Sequence, residues 1–350
     1  MWHLRAFTFL VFSLAATAVA EETIRIPGGQ EARRAVESRR GKTPLSKLSA
    51  KMKPGTWAEL ETEMPERLWS APQPSKGLHI GTWSDDAHWD SRTGQFLFFG
   101  VRQTRKFVAY SEETNSWRVI EFQGTENAPE LKQQFGHQYS KNSLDAERSR
   151  FYTGGYQYDL LADKWTQLPP AKPGRNTMLY VFFSAMDGLL SLARQPPGTL
   201  RFYSNARQDW SSLGVIPIHG YHSLARHNPF RQEVLFAGGN DSHAVVILSK
   251  DGKTRRMKDF PVSLTVRHSI VTVDPLSARY LFMVPTEKKF YEFDSESNEY
   301  RLIDDFTKTA WPFHRYDAPV AAFIPEYGVT MWADRKVHLY KHVVLASSRK

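Results

Sequence analysis

The 350-residue chain contains no cysteine. That excludes disulfides, thiolate nucleophiles and every Cys-containing metal centre. Long apolar runs are missing too: beyond the first twenty residues, nothing approaches the eighteen apolar residues a membrane helix needs. No G-x-S-x-G, P-loop, H-E-x-x-H or EF-hand pattern occurs. The sequence requires no cofactor and supplies no metal-ligand spacing.

The net charge of +9 suggests an acidic partner, but it is unevenly spread. Residues 21–53 hold nine Lys/Arg against four Glu, whereas 54–350 carries an excess of only three positive charges. The body therefore lacks the concentrated basic face of a nucleic-acid binder.

What is present begins with an export signal. Arg5 supplies a positive start, Ala6 to Ala15 an apolar core, and Ala18-Val19-Ala20 a small-residue cleavage site. Residues 1–20 are expected to be removed, leaving a secreted or periplasmic protein with no integral membrane segment. Segment 21–53, bounded by Pro-Gly pairs, is polar and basic, with no sustained apolar stripe. It reads as a flexible leader or surface helix, or as a basic arm for an acidic glycan or envelope surface.

From residue 80 onward the chain repeats itself. An aromatic or apolar residue is followed seven positions later by a strand-starting Trp or its substitute: Tyr110/Trp117, Tyr158/Trp165, Tyr203/Trp210, Ile247/Thr254 and Phe293/Tyr300. Between each pair lies a turn rich in Asp, Asn and Ser. The period is 44 to 48 residues, and the unit is clearest at 218–260. One such unit cannot bury both faces of its sheet, so copies must stack around an axis. Each pair is expected to sit on adjacent antiparallel strands, packing between neighbouring sheets.

YTGGYQYDLLADKWTQLP (152–169) and LFAGG (235–239) resemble the kelch repeat of galactose-oxidase-like propellers, with its double Gly, Tyr-Asp and Trp. The resemblance covers roughly 56–345 and implies an all-β propeller, without fixing a function. Inner hairpins around Asp90, Leu144, Asp187, Asn228, Asp274 and Ile324-Pro325 predict six blades over 54–350. The last blade lacks a fourth strand, and GTWAELE (55–61), which matches NSWRVIE and DKWTQLP, is expected to close it.

In such a fold the start of each blade's first strand opens at one face. Aligning the blades places Trp83, His137, Tyr180, Tyr221, Arg267 and Asp317 at that mouth, flanked by His222, His268 and Tyr316. Loops after the second strands add Arg102, Arg105, Arg194, Asn240, Lys288 and Arg335. Cations suit carboxylates or sulfates, and aromatic rings stack on sugars. Asp86 and His88 are expected to face solvent or a turn, and His219, His222 and His227 to lie apart.

The favoured partner is therefore an anionic polysaccharide or oligosaccharide, bound by a monomer. If the chain is an enzyme, uronate β-elimination fits: Arg267 neutralises the carboxylate, while His137 and Tyr221 serve as base and acid. The alternatives are a non-catalytic glycan- or protein-binding module and a kelch-type sugar epimerase. Copper-radical oxidation of the galactose oxidase kind, which the resemblance would otherwise suggest, needs a cysteine and is excluded.

Overall fold

Six antiparallel four-stranded sheets form a six-bladed β-propeller. The computed structural model describes residues 25–65, 68, 86–100, 106–120, 140–153, 155–168, 177–193, 197–240, 242–265, 269–313 and 319–343. The signal-like stretch 1–20 lies outside them. Blades 1 to 5 span 87–120, 142–167, 177–216, 223–256 and 270–305. Blade 6 combines 320–341 with the strand Thr56–Leu60, which pairs antiparallel with Val337–Lys341. Neighbouring inner strands touch in cyclic order, blade 6 returning to blade 1. N-terminal closure thus leaves no unpaired strand in the last blade.

The repeated aromatics do what their spacing predicts. Tyr110 faces Trp117, Tyr158 faces Trp165, Tyr203 faces Trp210 and Phe293 faces Tyr300. Their ring centroids lie 4.5 to 5.5 Å apart. The closing strand supplies a further pair, with Trp57 opposite Tyr340 at 4.7 Å. Blade 4 departs from the pattern: its turn shifts the register so that Ile247 faces Arg255, and Thr254 pairs with Leu248.

Two motifs have direct physical causes. The inner hairpins carry Asp or Asn because that side chain caps the turn. Asp90 Oδ2 accepts from the Thr93 N–H and hydroxyl at 2.9 and 2.7 Å, and Asp274 does the same for Ser277. The double glycine lets backbones cross. Gly238 and Gly239 have φ of 69° and 92°, and a Cβ there would meet the Leu264 and His219 carbonyls at 2.3 and 2.1 Å.

Of the segment read as a flexible leader, surface helix or basic arm, residues 29–39 and 44–51 form helices. Helices α1 (Gly29–Arg39) and α2 (Pro44–Lys51) pack on the propeller face that carries the inner hairpins. Ala32 and Val36 bury one side of α1, and Leu45 joins the core between blades 6 and 1. Arg39 continues the inward stripe. Its guanidinium donates to Glu112 Oε2 at 2.7 Å and to the Ser91 and Arg92 carbonyls. Thr43 and Tyr327 donate to Glu112 Oε1. An inward Arg satisfied by a buried carboxylate reads, in sequence, as a solvent-facing charge.

Candidate functional site

The channel has a floor. Ser140, just before blade 2, accepts the Tyr180 N–H through its carbonyl (2.8 Å) and the Ala225 N–H through its hydroxyl (2.9 Å). It thereby ties blade 2 to blades 3 and 4. Below it Arg226 is 4% exposed and donates to the carbonyls of Val271, Ala87 and Ala321, in blades 5, 1 and 6. Asp86 neutralises it in an oblique ion pair at 2.8 Å, which leaves Oδ1 without a well-aligned hydrogen bond. Ser140 and Arg226 together bridge all six blades across the channel, and the side of this floor away from the inner hairpins is the dish side.

Beneath the floor lies a cavity of about 60 Å³, room for a few waters. It is walled by Arg226, His88, His227, Asn142 and Ser184, with Arg25 and Pro27 at its outer end. Asp86 and His88 do not face solvent as expected. Asp86 is 2% exposed, and His88 Nε2 lies 3.3 Å from its carboxylate and 3.1 Å from the Asn142 carbonyl. Both faces of an inner strand are buried by neighbouring blades, so alternation does not mark an outside. Burial, reinforced by His88, Arg226 and Arg25, pushes the His227 pKa down to about 3 and keeps it neutral. Ser184 Oγ sits 3.3 Å from its Nε2. Among the described residues, no group of three or more His, Asp or Glu is placed to hold a metal ion.

On the dish side, blade 4 contributes the described part of the expected mouth. Tyr221 and His222 precede its inner strand, and their rings overlap with centroids 3.8 Å apart. The Tyr221 N–H donates to His219 Nδ1 at 3.2 Å, so in the neutral ring the proton sits on His219 Nε2. Asn240 lies between His219 Nε2 (3.2 Å) and His222 Nδ1 (3.1 Å). The consistent network has the Asn240 oxygen toward His219 and its amide toward His222, the flip of the drawn orientation. His219, which spacing alone did not join to these residues, is thus a member of the cluster.

The other expected residues fare differently. Half-buried Lys288 and exposed Arg335 lie on loops between second and third strands, on the dish face. Tyr180 is only 8% exposed and packs toward Trp210, so it offers no surface to a ligand. The 3-10 turn Ser184–Met186 sets Asp187 past the end of the inner strand, so counting back from it lands Tyr180 in mid-strand instead of at the mouth. Trp83, Arg102, Arg105, His137, Arg194, Arg267, His268, Tyr316 and Asp317 lie outside the described residues.

Sequence reading missed Lys141. It follows Ser140 directly, is partly buried, and has no carboxylate partner among the described residues. Burial lowers its pKa, because desolvation penalises the ammonium. A lysine one residue from a strand carries no sequence signal.

No protein-family model matches the sequence, and no curated protein matches it. Solved structures do. A protein of unknown function from Bacteroides thetaiotaomicron aligns at 12% identity over 71% of this chain and 67% of that one, with a TM-score of 0.51. A streptogramin B lyase aligns at 11% identity over 71% and 76%, TM-score 0.47. A fungal alcohol oxidase in complex with copper aligns at 10% identity over 73% and 62%, TM-score 0.46. At such identities the likeness is one of fold: this chain is a six-bladed β-propeller.

Proposed function

We propose that the chain is an exported, kelch-like propeller that binds anionic polysaccharide or oligosaccharide in the dish above Ser140. The observation that carries this reading is Lys141, a desolvated cation directly after the floor residue Ser140, with no carboxylate beside it among the described residues. A bound carboxylate or sulfate would supply the missing charge. The Tyr221–His222 pair, held by Asn240, offers a ring surface of the kind that stacks on sugars, and Lys288 and Arg335 add cations on the same face.

Binding is the core of the proposal, and uronate elimination is its catalytic extension. In that extension Tyr221 donates to the leaving oxygen or removes the carbon-bound proton, with His137 in the complementary role and Arg267 on the carboxylate. The test is a panel of uronate-containing, sulfated and neutral polysaccharides. Affinity is expected to fall with rising salt as screening shortens from about 10 Å to about 3 Å. It is also expected to fall as pH rises through the lowered Lys141 pKa, since only the ammonium attracts an anion. Lys141→Met should remove the pH dependence and reduce the salt dependence, and Tyr221→Ala should weaken binding at every salt concentration. Equal affinity for neutral glycans, unchanged in Lys141→Met, would refute the proposal. New ultraviolet absorbance from unsaturated uronate ends marks a lyase, and binding without it marks a module.

A further inference from the structure

The two helices carry a surface that neither closure of the ring nor the dish accounts for. Arg33, Arg34, Arg40, Lys42, Lys47, Lys51 and Lys53 are all exposed, and none has an ion-pair partner among the described residues. The inward stripe of α1, Ala32 and Val36, turns Arg33 and Arg34 outward. On α2 the buried Leu45 and Ser49 leave Lys47 and Lys51 one turn apart on the open side. Two acids interrupt the set: Glu31 is held by Arg92 at 3.1 Å, and Glu37 stands exposed.

This surface lies opposite the dish. The helices are pinned to hairpin turns, through Arg39 to Ser91 and Arg92 and through the Gly28 N–H to Glu147. Tyr221, His222 and Asn240 belong to the other ends of the same antiparallel strands. From these placements we infer that the outer face of α1 and α2 docks on a lipid bilayer rich in anionic phospholipid.

One observation selects a bilayer over a soluble polyanion: the cations are spread over the outer faces of two helices, a broad surface and not a single line. Insertion is not part of the inference. The exposed large hydrophobic side chains among the described residues are Leu161, Val215, Leu276 and Leu302, and none is on the helices. Contact at headgroup level is therefore electrostatic, and the dish faces away from the membrane.

The experiment is co-sedimentation of the full chain with phosphatidylcholine vesicles, with and without phosphatidylglycerol. Anionic lipid is expected to raise partitioning by about fivefold for each basic side chain that reaches the surface, and high salt to abolish the gain. The variant R33E/R34E/K47E/K51E should lose the gain while keeping its thermal unfolding transition. Gln at the same four positions should give an intermediate gain and guards against a folding defect. Partitioning that ignores lipid charge would assign membrane binding to the apolar stretch alone and overturn the inference. An undiminished gain in the Glu variant would place the contact elsewhere and also overturn it. Tight binding to heparin with no vesicle binding would reassign the surface to a soluble polyanion.

Discussion

Replacing Arg226 by Met keeps most of the side-chain volume and removes what joins blade 4 to blades 5, 1 and 6 at the channel floor. Four groups lose the guanidinium at once: the carbonyls of Val271, Ala87 and Ala321, and the Asp86 carboxylate, which keeps only His88 beside it. Breaking a buried ion pair from one side costs about 3–5 kcal/mol, because the remaining charge stays buried. Each orphaned carbonyl adds about 1 kcal/mol or more where water cannot reach it. The cavity below admits a few waters, so the carbonyls are expected to be partly rescued and the carboxylate to dominate. The expected loss is about 4 kcal/mol, read as a lower urea midpoint at unchanged slope. Asp86→Asn in the same chain should recover about half of it, since the uncompensated charge is gone, and Arg226→Lys should fall between, having no planar fork to reach three carbonyls. A midpoint for Arg226→Met within 1 kcal/mol of wild type, or no recovery from Asp86→Asn, would refute this account of the floor.

Ring closure gives a second test. Trp57 meets Tyr340 at 4.7 Å, Phe290 at 5.5 Å and Trp332 at 5.9 Å, so Trp57→Ala should cost about 3–5 kcal/mol. A loss below 1 kcal/mol in urea unfolding would show that closure does not depend on it. A third comes through pH, at buried Glu326 in the inner hairpin of blade 6, which accepts from the Trp89 indole and the Ser91 hydroxyl. Burial raises the Glu326 pKa to about 7, so the folded state holds a proton that the unfolded chain releases near pH 4.5. Its contribution is full below about pH 4.5 and is lost as pH rises through 7, a decline of up to about 3 kcal/mol. Glu326→Gln should flatten that decline in a series of thermal melts, and an equally steep decline in the variant would contradict the assignment.

The repeat was legible because its spacing reports a local event. A residue and the one seven places on face each other across a compact hairpin whatever the rest of the fold does, so Tyr110/Trp117 and its equivalents carried the blades. Trp57 could be placed because GTWAELE matches the fourth strands of other blades and the last blade lacks one. What stayed hidden depends on contacts between distant segments. Arg39 and Arg226 look like surface charges until Glu112 and Asp86 are brought beside them. Lys141 gains meaning only from the burial around it. Tyr180 was misplaced by the 3-10 turn Ser184–Met186, which moves Asp187 off the strand end and leaves no trace in composition. The dish is also made of irregular segments, where neither a period of two nor one of 3.6 guides the reading, so its equivalences rested on counting back from hairpins.

The most direct measurement of the central claim is hydrogen–deuterium exchange of the full chain with and without a uronate oligosaccharide. Protection is expected at 140–141, 219–222 and 238–243, with the helices at 29–51 unchanged. Protection confined to 29–51, or none at all at saturating ligand, would contradict a glycan site in the dish.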